Sequence, residues 1–336
     1  MRFLFVGDPH VTVEELPDCQ NLLNLVFDTY EKENPDKVIF LGDLHHNHAL
    51  VRVEVTDFWI KNLSRFNKDK VVLLVGNHDR PNDSSATAHA LQAYRGLGKV
   101  VERLEILYEH IAVAPYYPSN YRLIEDVALL KKTNKIDTLI CHQTFDGSKF
   151  ESGFFAPEGL DPVLLGIDLV ISGHIHTRQT LNWCSGDIEY IGSPRWRTIA
   201  DSNEIKGLCI YDTVMNDFDF IDTSTACSPI GRGSVTDVSQ LDSIPYVNNP
   251  KARLHIDVPG PKAEVEIQTA LIKAKLPKAK IRPVYTDETK KASVTESEGI
   301  HNALRRYIAS CAPAYGTEPD IIQEMITRRL NVNAKS

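Results

Sequence analysis

Nowhere in this sequence does an apolar run approach the length that a membrane-spanning helix needs. The N-terminal Met-Arg-Phe-Leu-Phe-Val stretch gives out at Gly7-Asp8, too early for the core of a signal peptide. A soluble, untargeted, cytoplasmic protein with no membrane partner is expected. Cysteine is sparse: Cys19, Cys141, Cys184, Cys209, Cys227 and Cys311 are scattered, with no C-x-x-C pair. That argues against a disulfide framework and leaves reduced core cysteines as the reading. Positive charge is short as well, since 37 basic against 45 acidic residues leave a net charge of −8. Coating nucleic acid by bulk electrostatics is disfavoured, whereas a local basic groove, or contact through bound cations, is not.

What the chain does have is one pattern repeated five times. In residues 71–79, VVLLVGNHD, a run of Val and Leu stops at Gly76 and gives way to Asn77, His78 and Asp79. An apolar, β-branched run closed by glycine reads as a buried strand emptying into a tight turn, where α/β proteins keep their chemistry. Residues 2–10 (RFLFVGDPH), 37–43 (KVIFLGD), 137–142 (DTLICH) and 168–176 (DLVISGHIH) follow the same grammar. One Asp-x-His alone would be read as a turn or helix cap. Five strands ending in metal-capable residues point to one site.

A chain of 336 residues holds a large domain and a smaller one, and 42% hydrophobic with 24% charged residues is ordinary for a soluble globular protein. Helical spacing over 14–33 and 49–66 separates the first three strands, so a largely parallel β-α-β-α-β start is expected. Helices are also predicted at 83–94 and 121–132, with strands between 99 and 114. Pro115-Tyr116-Tyr117-Pro118 reads as a rigid aromatic loop, a packed surface turn in preference to a substrate platform. From 178 to 222 the chain turns strand-rich (QTLNW, IEYIG, KGLCIYD, DFDFID), which predicts a second sheet stacked on the first. The expected architecture is a four-layer α/β/β/α sandwich over 1–228. Residues 224–250 read as a linker. Strand, helix and strand at 253–258, 263–275 and 280–285 then predict a small α/β domain over 245–290. A tail at 296–332 reads as two helices, 298–311 and 320–330. Their apolar stripes (Ile300, Leu304, Tyr307, Ile308; Ile321, Ile322, Met325, Ile326, Leu330) need burial on this chain or on a partner.

The candidate ligands are Asp8, His10, Asp43, Asn77, His142, His174 and His176. Oxygen and nitrogen donors without thiolate suit Mn, Fe, Zn or Mg better than a structural zinc site. Seven exceed the needs of one ion and suit two that share a bridging carboxylate, an arrangement that clamps an in-line phosphoryl displacement. In this order, Asp8-x-His10, Gly42-Asp43, Gly76-Asn77-His78-Asp79, His142 and Gly173-His174-x-His176 resemble the signature of the calcineurin-like metallophosphoesterases. The resemblance implies two divalent ions, Mn²⁺ first, with Mg²⁺, Fe²⁺ or Zn²⁺ as alternatives. It also implies that Asp8, His10 and His176 hold one ion, that Asn77, His142 and His174 hold the other, and that Asp43 bridges. His78 would contact the scissile phosphate and help protonate the leaving oxygen while a hydroxide between the metals attacks phosphorus. Asp79 would orient a neighbouring histidine.

Within that family, Gly42-Asp43-Leu44-His45-His46 is similar to the Gly-Asp-Leu-Phe-His of SbcD-type DNA exonuclease subunits, which implies that His46 lies near the phosphate. Tyr190-Ile191-Gly192-Ser193-Pro194, followed by Lys206-Gly207, resembles the Gly-Ser-Pro region of that branch. The branch implies an exonuclease with endonuclease activity in DNA repair, recombination and replication. It further implies a homodimer, a small domain capping DNA, and an SbcC-like SMC-type ATPase docked on the C-terminal helices. Arg195 and Arg197, with Arg80 and Lys149, are the basic residues expected to meet DNA. A compact phage-encoded member, working in the host cytoplasm, would fit this size. His45 stands where the branch has an aromatic, and no glycine precedes His142; both departures bear on substrate positioning and spare the metals. The rival reading from the same ligands is hydrolysis of small phosphodiesters such as cyclic nucleotides or dinucleoside polyphosphates. A protein phosphatase is disfavoured, because that branch has Asp-Arg-Gly and a glutamate where His45-His46 and Asp79 stand. An inactive scaffold is disfavoured because all seven ligands and His78 are kept.

Overall fold

The computed structural model describes residues 1–82, 88–183 and 186–286, so the expected tail helices, Cys184 and Cys311 lie outside the described residues. The first part alternates as predicted: β1 (Arg2–Val6), α1 (Leu16–Glu33), β2 (Lys37–Phe40), α2 (Val53–Leu63), β3 (Val71–Leu74) and β4 (Lys99–Val101), with β1 to β4 running parallel. Helix α1 ends where Asn34 turns left-handed at φ 43° and Pro35 follows. Helix α2 is shorter than its apolar spacing predicts, because the residues before it form an irregular loop after β2 that carries His45 and His46. Of the helix expected at 83–94, the described part is a 3₁₀ turn at Ala90–Tyr94.

The chain continues with β5 (Glu105–Tyr108), β6 (Ile111–Val113), α3 (Asn120–Leu130), β7 (Thr138–His142), β8 (Leu169–Gly173), β9 (Gln179–Trp183), β10 (Gly186–Tyr190), β11 (Gly207–Asp212) and β12 (Asp217–Asp222). Two six-stranded sheets result, in the orders β12-β11-β1-β2-β3-β4 and β5-β6-β7-β8-β10-β9. One expectation needs correcting. Only β9 and β10 extend the second sheet, whereas β11 and β12 return to the first, where β11 pairs antiparallel with β1. The alternation of β11 explains the choice: Leu208 and Ile210 join the helix-facing cluster of the first sheet, and Cys209 and Tyr211 the cluster between the sheets.

The same alternation sets all four layers. Leu4 and Val6 of β1 pack with α1 and α2, while Phe3 and Phe5 face the second sheet and meet Ile140 of β7. Leu139 and Cys141 point the opposite way, onto Leu123 and Val127 of α3. The outcome is the expected α/β/β/α sandwich. Cys19, Cys141, Cys209 and Cys227 are free and buried in these layers.

The small domain starts earlier than expected. β13 (Ile230–Ser234), inside the stretch read as linker, pairs in parallel with β14 (Arg253–Gly260), which has β15 (Lys280–Tyr285) on its other side. Helix α4 (Lys262–Lys275) covers that sheet through Val265 and Ile272. The IGRGS sequence of β13 carries too little apolar alternation to be read as a strand. Its Gly231 is required by close approach, since a Cβ there would stand 2.0 Å from the Pro245 carbonyl oxygen. Two contacts tie this domain to the loop after β10: Arg253 donates to the Trp196 carbonyl at 2.6 Å and the Tyr246 hydroxyl to that of Glu204 at 2.8 Å.

Candidate metal centre

Parallel strands of the two sheets deliver the predicted residues to one edge of the sandwich. Asp8 and His10 follow β1, Asp43 follows β2, Asn77 to Asp79 follow β3, His142 ends β7, and His174 and His176 follow β8. The exits are strained: His10, Asp43 and His174 sit at φ 46°, 50° and 76°. Left-handed backbone at such residues costs of order 1–3 kcal/mol and persists where packing over-determines it. Gly76 is demanded by its surroundings, because a Cβ there would lie 2.1 Å from Asp43 Oδ1.

Two clusters form around one carboxylate. In the first, His10 Nε2 and His176 Nε2 are 2.9 Å apart and Asp8 Oδ2 is 3.7 Å from His176 Nε2. In the second, Asn77 Oδ1 lies 3.0 Å from both His142 Nε2 and His174 Nδ1. Asp43 Oδ2 stands between them, 3.5 Å from His10 Nε2 and 3.4 Å from His142 Nε2. The outer nitrogens are committed elsewhere: His142 Nδ1–H donates to the Leu41 carbonyl at 2.8 Å and His176 Nδ1–H to Glu151 at 2.6 Å. Each ring therefore turns its other lone pair inward, as metal-binding histidines do. Asp8 Oδ1 is buried with no hydrogen-bond partner. Converging lone pairs and an orphaned carboxylate oxygen fit divalent cations.

The electrostatics agree. Burial resists ionisation of Asp43, but His142, by charge and hydrogen bond, then His10 and His78, hold its carboxyl well below the usual range. Burial pushes Asp8 upward. It also lowers His10 strongly and, with the His142 charge, His174 to about 3, so both rings are neutral donors. On His142 burial is outweighed by Asp43 and Asp8, which lift it to about 9. A proton held there marks where positive charge is favoured, and a metal ion competes with it.

His78 belongs to this centre. Its backbone N–H donates to Asp43 Oδ1 at 2.8 Å, and its Nδ1–H donates to the His46 carbonyl at 2.6 Å. His46 stacks on it at 5.6 Å, and ring nitrogens of His10, His46 and His78 cluster within 4.8 Å. Asp79 acts differently from expectation: its carboxylate accepts the backbone N–H groups of His45 and Gly76, both at 3.0 Å, and so pins two loops where a histidine ring was expected. His45 fills the aromatic position as an aromatic would, stacked on Tyr94 at 5.9 Å.

Arg195 is corrected outright. It is fully buried, donating to the carbonyls of Pro9 and His10 at 3.0 and 2.9 Å and to Glu15 at 2.9 Å, so it buttresses the exit of β1 and offers nothing to DNA. Arg197 does line the cavity over the centre, with Asp43, His78, His174 and His176. Lys149 lies over the Phe155 ring. Sequence reasoning missed Glu151, a single acid in a loop-rich stretch with no local signal, and His48, whose ring stacks on His78 at 4.1 Å. It also missed Lys206 as a support: buried, it donates to the His176 carbonyl at 2.9 Å and pairs with Asp201 and Glu204.

Comparisons with known proteins bear on this geometry. A family model described as calcineurin-like phosphoesterase matches residues 1–178, a span that holds every candidate ligand and His78. "Putative phosphoesterase 078R" of Invertebrate iridescent virus 3 is 26% identical over 213 residues, covering 60% of this chain and 59% of that protein. The chain thus spans less than two thirds of that relative. Among solved structures, Yfce, a phosphoesterase from E. coli, aligns with a TM-score of 0.35 at 13% identity, over 66% of this chain and 98% of its own. GAP50, described as the anchor in the inner membrane complex of Plasmodium, aligns at 0.44 with 11% identity, over 67% of this chain and 85% of its own. Among the described residues no helix is long and apolar enough to cross a membrane.

Proposed function

Given that the chain belongs to the calcineurin-like phosphoesterase family, we propose that it is a two-metal DNA nuclease, the nuclease subunit of an SbcCD-like complex. The observation that carries this reading is a cleft of about 610 Å³ between the sandwich and the small domain. Arg197, Lys251, Arg253, His255, Lys278 and Lys280 line it, and no carboxylate does. In a chain of net charge −8, so local a gathering of cations is the footprint of a polyanion path. Arg197 lines both this cleft and the cavity over the metal centre, so a phosphate backbone lying in the cleft reaches the chemistry.

In this reading Asp8, His10 and His176 hold one divalent ion, Asn77, His142 and His174 the other, and Asp43 serves both, with Mn²⁺ the first choice. Bound there, such ions polarise phosphate oxygens and lower the pKa of water. Asp43 seats the His78 backbone, and the His46 carbonyl fixes its Nδ1–H. The nitrogen left to exchange a proton with the leaving oxygen is Nε2. Arg197 positions the phosphate by charge, and His46 braces His78. A homodimer, and an SbcC-like SMC-type ATPase docked on the apolar stripes between 298 and 330, complete the proposal.

The test is hydrolysis of end-labelled linear duplex DNA and of bis(p-nitrophenyl) phosphate, side by side in Mn²⁺, with Asp43→Ala as the blank. DNA degraded by the wild type and spared by the variant is expected. Cleavage of the small diester alone, with the ATPase present as well as absent, would overturn the nuclease reading in favour of a small-molecule phosphodiesterase.

A further inference from the structure

A second cavity, of about 700 Å³, borders the metal centre through one ring. Tyr116 lines it and also stacks on His174, with centroids 5.7 Å and planes 29° apart. The Pro-Tyr-Tyr-Pro loop that carries it is fastened to the end of β3, since the Tyr116 N–H donates to the Val75 carbonyl at 2.8 Å. Around the cavity stand Arg80, from the turn after Asp79, Arg95, Arg103 after β4, and Arg122 on α3. Two of these are answered locally: Arg95 pairs with Glu102 at 2.7 Å and Arg122 with Asp126 at 3.3 Å. Arg80 and Arg103 have no ion pair among the described residues, and Arg80 Nε is buried without an acceptor.

A guanidinium edge withdrawn from water without an acceptor is costly, and a phosphate oxygen is the acceptor that its fork suits best. Aromatic walls beside free arginines also meet the demands of a nucleotide, whose base stacks while its phosphate takes the charge. The volume falls within the range of roughly 300–1,000 Å³ typical of small-ligand sites, room for a nucleotide and too little for a duplex. Building on the phosphodiesterase reading, we infer that this cavity is a subsite for one unpaired nucleotide adjoining the scissile phosphate. Its phosphate lies on Arg80 and Arg103, and its base lies against the Tyr116–Tyr117 wall. A duplex end must then fray before its strand reaches the centre.

The experiment measures binding of fluorescein-labelled trithymidylate to metal-stripped protein by anisotropy, for the wild type, Arg103→Gln and the double variant Arg80→Gln/Arg103→Gln. The double variant should bind at least tenfold more weakly, with a log–log salt slope shallower by roughly 1.4 for two lost phosphate contacts. Its hydrolysis of bis(p-nitrophenyl) phosphate in Mn²⁺ should stay within twofold of wild type. Arg103 is exposed, so Arg103→Gln guards against misfolding and should alone weaken binding about threefold or more. Unchanged trithymidylate binding in both variants would overturn the subsite. So would a matching fall in hydrolysis of the small diester, which would make the arginines supports of the centre. Wild-type protein that binds trithymidylate through these arginines but cleaves no DNA would keep the subsite and sink the nuclease reading instead.

Discussion

Removing the Glu151 carboxylate should weaken the first metal position while leaving the second almost untouched. Glu151 Oε1 sits 2.6 Å from His176 Nδ1, and its side chain is only 17% exposed. A hydrogen bond to a charged partner at such a site is worth roughly 1.5–3 kcal/mol, about one to two factors of ten in affinity. The bond also decides which nitrogen of His176 keeps its lone pair for the ion, and partners of this kind typically contribute roughly 10–100-fold to metal affinity or activity. Glu151→Ala should therefore raise the Mn²⁺ dissociation constant of one site by about ten- to hundredfold. Glu151→Gln, which keeps an acceptor and loses the charge, should fall between that variant and wild type. Calorimetric titration of stripped protein reads both sites, and a thermal melt checks the fold. Two sites of wild-type affinity in Glu151→Ala, or an equal loss at both sites in a fully folded variant, would refute the assignment of Glu151 to His176 orientation.

His78→Ala should keep its metal content, since His78 is not among the ligand clusters around Asp43, while turnover falls by roughly 10²–10⁴, as for a lost general acid. Metal analysis beside steady-state kinetics decides this. Lys206→Met should destabilise the fold by about 3–5 kcal/mol in urea unfolding at neutral pH, because it strands Asp201 and Glu204 without their cation. The pH dependence has a definite sign. Burial opposes ionisation of Asp201, but Lys206, by charge and hydrogen bond, depresses its folded pKa. That contribution is present above the unfolded value of about 3.9 and is lost as pH falls through the lower folded value, so the gap between wild type and Lys206→Met should narrow there. Deleting residues 298–336 should abolish binding of the partner ATPase and leave hydrolysis of bis(p-nitrophenyl) phosphate intact; an unfolded truncated protein would assign those helices to this chain's own core.

The ligand set was legible because parallel strands buried on both faces read as continuous apolar runs, and a polar residue straight after such a run marks the sheet edge where ligands collect. Asp8, Asp43, Asn77, His142 and His174 all follow that rule. Arg195 breaks the equation of charge with surface: it is buried because the exit of β1 leaves two carbonyls that need a donor, and Glu15 supplies the countercharge. β13 escaped notice because its two glycines, one forced by Pro245, look like loop. The strands at 207–222 could be counted but not placed, since nothing in their own alternation names the neighbour they pair with.

By itself, then, the sequence determined the periodicities, and through them the four layers, the turns that end the strands, and the donor atoms those turns present. Only the tertiary structure decided which donors share an ion, that Glu151 sets the lone pair of His176, that Lys206 holds the carbonyl of the same residue, and that a tyrosine of the Pro-Tyr-Tyr-Pro loop joins an arginine-walled cavity to the centre. The reason is physical. Strand and turn preferences act between near neighbours along the chain, whereas coordination, ion pairing and cavity shape depend on distances that exist only once two sheets have packed face to face.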